Sequence, residues 1–460
     1  MSDSQFFFPS DTYISRRKIL MKKVPKSKMF LLGNTYSPMN YKDNHYPFRQ
    51  DSTFLYFLGI NLPDLCAVVD SHTGETTLYG DDHTIDMIIW TGNQPSLKEL
   101  GERCGITQVK PLSALYDDFD SETKCLPAYR GEHSLRYQEL FKEGFKEPDM
   151  DFVMAVIEQR NIKSDEEIEQ LNKAVNITAR MHTHTMQHAK AGMKEYQLVG
   201  IANAFAWDHN CQFSFPPIST INGQTLHNHY YGNTINEGDM VLFDSGVQLE
   251  SGYCGDMTRT YPVSGKFDDL QAALYNIVED AHVHAVSIAK PGVFYKDVHL
   301  AAAKVIAQGL IKMGIMTGDA DDIVAAGAHT LFFQHGLGHM MGLDVHDMEN
   351  FGEENVGYDS TISKSTEFGL KSLRLGRRLQ EGHVITIEPG LYIIPELMDK
   401  FQAEKKFENF VNYYELNKYR SAGGIRIEND YVVREGGVEV LGSPDGTSVE
   451  QIEALMNQSN

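Results

Sequence analysis

Glu237-Gly-Asp-Met-Val-Leu-Phe-Asp244-Ser-Gly246 returns further along the chain as Glu381-Gly-His-Val-Ile-Thr-Ile-Glu388-Pro-Gly390. In both copies a Glu-Gly pair opens an apolar, strand-like run, an acid ends it, and a glycine closes the phrase at the same offset. Each copy is followed by a second acid in a strand-like setting, Asp256 in Gly-Asp-Met-Thr-Arg-Thr and Glu428 in Gly-Ile-Arg-Ile-Glu-Asn-Asp. A lone acid after an apolar run is ordinarily a strand end at the surface. A duplicated pair points to two halves that share one site. Carboxylates about 4 Å apart repel by roughly 4 kcal/mol per pair at an effective dielectric near 20, so such a gathering needs protons or cations. Two divalent metals would neutralise it.

Between the copies lies His335-Gly-Leu-Gly-His339-Met-Met-Gly-Leu-Asp-Val-His346-Asp347. Its glycines permit close backbone approach. As a dinucleotide fingerprint it fails, because after Gly336 and Gly338 the third glycine, Gly342, comes one place late and no strand-to-helix context surrounds it. A histidine adding one nitrogen ligand to a mostly oxygen-ligated pair of metals is the better account.

The order Asp244, Asp256, His339, Glu388, Glu428 resembles the five-ligand dinuclear site of the pita-bread metallopeptidases, a family that includes methionine aminopeptidase, prolidase and aminopeptidase P. Tyr46-Pro-Phe-Arg-Gln-Asp-Ser-Thr-Phe-Leu-Tyr-Phe-Leu-Gly59 is similar to the opening of the extra N-terminal domain that aminopeptidase P and prolidase carry. A helical echo agrees with duplication: Ala189-Lys-Ala-Gly192 and Ala289-Lys-Pro-Gly292 each close one helix-like stretch and precede another. The resemblance implies an α+β chain. A C-terminal pita-bread fold of two pseudo-symmetric halves would occupy residues 161–460, after a smaller mixed α/β domain over 1–160.

The same resemblance implies the chemistry. Asp256 and Glu428 would bridge two metals, Asp244 would bind one, and His339 with Glu388 would bind the other. Glu388 would also relay a proton from the bridging water to the departing amine. His335 and His346 would hydrogen-bond the peptide carbonyl, His227 would border the pocket beyond the scissile bond, and Arg426 would orient Glu428 or the substrate. A donor set of four carboxylates and one imidazole suits Mn²⁺, with Zn²⁺, Co²⁺ or Fe²⁺ as alternatives. The implied activity is release of an N-terminal residue from Xaa-Pro peptides by a metal-bridging hydroxide. Two alternatives stay open: a prolidase limited to Xaa-Pro dipeptides, and a relative that has kept the fold without the metals, either a non-catalytic binding protein or a creatinase-like hydrolase. One departure stands out. Asp244 and Asp256 are one residue further apart than is usual in the family, through Gln248-Leu-Glu-Ser-Gly252, which a hairpin turn would absorb.

A chain of 460 residues calls for two or three domains. Its net charge of −22 argues against a nucleic-acid partner, and no apolar run approaches the roughly 20 residues of a membrane span. Phe6-Phe-Phe8 is too short, and precedes Arg16, Arg17 and Lys18 instead of following them, so it does not read as a secretory signal. Five scattered cysteines form neither a zinc motif nor a disulfide framework, which fits the cytoplasm. A homodimer or homotetramer is the expected assembly by family analogy.

Four local expectations complete the reading. Lys28–Leu32, Phe54–Leu58 and Leu65–Val69 read as strands. Ser164 with Glu167 reads as the capped start of a long helix. In that helix His184 and His188 share a face, but Thr185 stands where a zinc protease needs Glu, so the histidines read as structural. Residues 400–419 read as an inserted surface helix or lid, with contact to a partner subunit.

Overall fold

The computed structural model describes residues 7–141 and 146–458, so Phe6 of the early aromatic run lies outside the described residues. Two compact units emerge, one of Met1–Arg160 with Met348–Gly352, the other of Asn161–Asp347 with Glu353–Asn460. The first is built on a sheet ordered Lys28–Leu32, Cys66–Asp70, Glu75–Tyr79, Gln108–Lys110, antiparallel except for the last pair. Phe30, Val68, Tyr79, Tyr137 and Phe141 form a buried cluster within it.

The strand expected at Phe54–Leu58 is a helix, Ser52–Leu58. Asp51 accepts a hydrogen bond from the Phe54 N–H at 2.8 Å, and Gly59 closes the helix at φ 70°. Every residue of the run is buried. A short segment apolar on all sides carries no period that separates strand from helix. The deciding signals were the caps, Asp before the run and Gly after it.

In the second unit Ser164 and Glu167 make a reciprocal cap on the helix Asp165–His188. That helix ends at Ala189, the chain turns through Gly192 at φ 89°, and Glu195–Asp208 follows. Asp269–Ile288, Gly292 at φ 86° and Tyr295–Lys312 repeat the pattern. Both glycines occupy the left-handed region that a Cβ disfavours.

Two hairpins follow the same duplication. In the first, Met240–Asp244 pairs antiparallel with Thr258–Pro262, Asp244 facing Thr258. The register runs on unbroken through the Gln248–Cys254 bridge to the Leu249 carbonyl side of the turn, where the Leu249 N–H donates to Tyr253 O at 3.0 Å. The extra residue is therefore taken up in the turn, with Gly252 at φ 87°. Tyr253 Oη donates to Glu167 at 2.9 Å and Ser251 Oγ to Gln170 at 3.0 Å, which ties the turn to the long helix.

In the second hairpin Val384–Ile387 pairs with Asn429–Arg434, and beyond Pro389 the same register continues as Gly390–Tyr392 with Gly424–Arg426. A bridge between Thr258 and Glu428 joins the hairpins edge to edge, the Glu428 N–H donating to Thr258 O at 3.2 Å. Within residues 400–419 lie the end of the helix Pro395–Ala403 and a short helix Tyr413–Leu416, held to the 315–317 segment through Asn412 and Phe410. No helix among the described residues is long and apolar enough to cross a membrane.

Candidate metal centre

Asp244 ends the first strand of its hairpin, and Glu388 follows the last residue of the matching strand. Their second acids are not matched in the same way. The unbroken registers set Asp256 across from Gly246, whereas Glu428 lies across from Glu388. The expected duplication of both acids therefore holds in the pairing for Asp244 and Glu388 alone. All four nonetheless line one cavity of about 540 Å³, together with His227, His335, His339, His346, Arg374 and Arg426. No residue of 400–419 lines that cavity.

Asp244, Asp256, Glu428 and His339 are buried, while the Glu388 side chain keeps 17 % of its surface exposed. Burial first, and then the neighbouring carboxylates, hold Asp256 and Glu428 well above the usual carboxylate range. Glu388 is also raised, chiefly by burial, against the lowering effect of His339 and Arg426. A fifth acid stands behind the cluster: Asp430 accepts from the Asp256 N–H at 2.9 Å, and burial raises its pKa well above the usual range.

His339 provides the test of what this set can hold. Its Nδ1 lies 3.0 Å from Met340 O, a contact that requires a proton on Nδ1. That leaves Nε2 as the atom facing the acids, 3.4 Å from Asp256 Oδ2 and 3.8 Å from Glu388 Oε1. A nitrogen and carboxylate oxygens at this spacing can share a cation, either a proton or a metal ion. Oδ1 of both Asp244 and Asp256 is buried without a hydrogen-bond partner, although buried carboxylate oxygens are normally satisfied. Ligand atoms of Asp256, His339 and Glu428 lie within 4.8 Å of one another. The donor set thus fits divalent metal on its chemistry and on its unsatisfied oxygens.

Arg426 balances the other side of the cluster. Its guanidinium donates to Asp244 Oδ2 at 2.5 Å, to Tyr392 Oη at 2.9 Å and to Thr258 Oγ1 at 3.2 Å. Burial opposes its charge, but Tyr392, Asp244, Glu388 and Glu428 outweigh that and raise its pKa. It reaches Glu428 through Thr258, whose hydroxyl donates to Glu428 Oε2 at 2.7 Å. An arginine can only donate, so Tyr392 passes its own proton towards His335 Nε2, 2.8 Å away. His335 is consequently protonated at Nδ1, which lies 2.7 Å from Gly336 O and 3.7 Å from Glu388 Oε2. Burial, then Arg426, pushes the His335 pKa down to about 3.

His346 packs against His339, ring centroids 4.2 Å apart, and His227 stands exposed at the cavity wall. The helix histidines are elsewhere. His182 is buried with Nε2 2.9 Å from Ser245 O, and His184 packs at a tilt against His188 and Phe205. Neither His184 nor His188 lines the acid-lined cavity. Sequence reading missed Thr258, Tyr392, Asp430 and Arg374. The available signal was proximity, since Thr258 follows Asp256 by two residues and Tyr392 follows Glu388 by four.

Residues 169–435 match metallopeptidase family M24. The chain belongs to that family. Residues 13–126 of this M24 peptidase match the aminopeptidase P N-terminal domain, which gives the two-domain order of aminopeptidase P: an N-terminal domain before a pita-bread catalytic domain. Human Xaa-Pro dipeptidase is 32 % identical over 426 residues, covering 89 % of this chain and 84 % of the relative. Xaa-Pro aminopeptidase of Escherichia coli strain K12 is 31 % identical over 465 residues, covering 96 % of each. The low-pH form of Escherichia coli aminopeptidase P superposes with a TM-score of 0.82 at 30 % identity, over 98 % of this chain and 99 % of that one. As an M24 member the protein is a hydrolase of peptide bonds that works with divalent metal ions.

Proposed function

We propose that this M24 peptidase is an Xaa-Pro aminopeptidase, cutting the bond between an N-terminal residue and proline. The observation that carries the reading is the convergence of Asp244, Asp256, His339, Glu388 and Glu428 on one cavity, in a chain similar over nearly its whole length to enzymes of that name. These five residues would hold two divalent ions. Mn²⁺ is the proposed metal, because oxygen donors dominate the set. When bound, the ions supply Lewis acidity and bring the pKa of a water down to about 7.

The remaining steps belong to the chain's own groups. Glu388 is the most exposed of the four acids and has a raised pKa, suited to taking a proton at a carboxylate oxygen and returning it to the proline nitrogen. Asp244 is pinned by Arg426 and stays a ligand. His346 and His335 would stand against the substrate carbonyl, the second held in place by Tyr392. His227 would border the proline side. The Xaa-Pro nitrogen has no hydrogen and a fixed ring, so recognition there rests on the shape of the wall.

Arg374 supports a second reading. Its guanidinium lines the cavity and pairs with Glu353 at 2.9 Å, where it could take the C-terminal carboxylate of a dipeptide, the prolidase alternative. Rates on Xaa-Pro and Xaa-Pro-Xaa decide between the two. Turnover of both, with Arg374→Ala harming the dipeptide more, is expected, and turnover of the dipeptide alone overturns the aminopeptidase reading.

Other parts of the proposal have their own support. A domain boundary at residues 160/161 agrees with the compact units. A homodimer or homotetramer is supported by the apolar helix Ile85–Thr91 of the first unit, on which Ile85, Ile89 and Trp90 are 73, 70 and 87 % exposed. Cytoplasmic residence is supported by five free, buried cysteines.

A further inference from the structure

Lys163 and Asp347 form an ion pair that the chemistry above does not use. Lys163 Nζ and Asp347 Oδ2 are 2.8 Å apart, and each side chain is 1 % exposed. Burying two charges costs solvation that their attraction offsets only in good geometry, so such a pair is weak support for stability and a candidate for specifying one conformation.

The conformation in question is that of the loop that carries His346 and starts directly after His339. Its ends are tied where the Asp347 N–H donates to Met340 O at 3.0 Å, and within it the Gly342 N–H donates to Asp344 O at 3.0 Å. The other oxygen of Asp347 accepts from the Asp344 N–H at 3.3 Å. Gly342 leaves room for the carboxylate: a Cβ there would lie 2.5 Å from Asp347 Oδ2. Lys163 meets the carboxylate from the start of the catalytic unit, its own N–H anchored on Gly382 O at 2.9 Å, beside the second hairpin. The lysine thereby connects a fixed point of the frame to the foot of the loop, one residue from His346.

We propose that Lys163 is a positioning residue for His346, acting through Asp347. The pair holds the foot of the Met340–Asp347 loop so that the His346 ring stays against His339 and faces the substrate carbonyl. The inference rests on the role given above to His346, and the test separates the two. Removing the lysine charge leaves Asp347 buried without that partner. The loop then relaxes while the five metal-site residues, held by hairpin pairing and by the His339 N–H bond to Thr386 at 3.1 Å, remain in place.

The experiment measures kcat, KM, bound metal and thermal midpoint for the Mn²⁺-loaded enzyme on an Xaa-Pro peptide. The variants are Lys163→Met, Asp347→Asn, His346→Ala, and each of the first two combined with the third. Lys163→Met and Asp347→Asn are expected to lower kcat by roughly 10-fold to 100-fold, the usual cost of losing an outer partner of a site residue, with KM and metal content held. The double variants are expected to be no slower than His346→Ala alone, because a positioning effect vanishes once the positioned group is gone. Additive losses, or losses that follow metal content and thermal midpoint, overturn the proposal. If Lys163→Met does not fold, Asp347→Asn, which is isosteric, decides by the same criteria. His346→Ala at wild-type kcat overturns the role of His346 and this inference together, whereas a slow His346→Ala with additive doubles overturns only the link to Lys163.

Discussion

The two hairpins share a backbone and differ in charge. Asp244 and Glu388 sit at equivalent strand ends, but one strand over, the register that aligns them sets Asp256 level with Arg426 and Thr258 level with Glu428. Duplication supplied the frame, and the side chains on it diverged. One half holds its strand-end acid with a buried guanidinium at 2.5 Å. The other leaves its acid facing the cavity, with an imidazole 3.8 Å away. That difference underlies the proposed roles: Asp244, held by Arg426, as a ligand alone, and Glu388 as a ligand that also exchanges a proton.

The comparison breaks first at Glu388. Glu388→Ala is expected to lose a ligand and the proton relay together and to lower kcat by roughly 10²–10⁴-fold or more. Wild-type turnover in that variant would falsify the assignment. Arg426→Leu tests the other half. It leaves Asp244 buried beside an apolar side chain and is expected to weaken metal affinity by roughly 10–100-fold. Arg426→Lys should not restore it, because one ammonium cannot reach the three acceptors that the planar fork serves. Retained affinity in both, by Mn²⁺ titration, would mean that the guanidinium is not what pins Asp244.

Thr258→Val removes the hydroxyl that couples Arg426 to Glu428 across the seam. A loss of metal affinity near the low end of that range, about 10-fold, is expected from the same measurement. The smallest effect belongs to the turn. Deleting Glu250 should restore the shorter spacing, change stability by only about 0.5 kcal/mol, and leave kcat/KM nearly unchanged. A large fall would show that the register depends on the turn and is not set by the strands.

That these acids come together in one cavity was legible because a strand, an acid and a glycine at fixed offsets make a local pattern, and the pattern occurs twice. His339 was legible from its glycines and its place between the copies. What stayed hidden was whatever crosses the seam. Arg426 was expected to orient Glu428 or the substrate, yet its direct carboxylate partner is Asp244 in the other hairpin, and the Thr258–Glu428 bridge and the Thr260–Arg426 hydrogen bonds bring the two together. Tyr392 and Thr258 are hydroxyls on otherwise ordinary strands, and only tertiary pairing turns them into links between ligands. In the first unit, Phe54–Leu58 was misread because its apolar residues outweighed the Asp51 and Gly59 caps.

The unbroken pairing in both hairpins has a practical consequence. In the first it reaches past Asp256 to the turn, and in the second it continues past Glu388 to Ile393, whose N–H still meets Gly423 O at 2.9 Å. Everything beyond those last rungs hangs outside the catalytic frame, which is how one tip carries an extra residue and the other a whole pair of helices. The exposed pair Glu408 and Asn409, ahead of the Phe410 tie to Thr317, is therefore a permissive splice point, where a reporter peptide or affinity handle can be grafted while the acids keep their spacing.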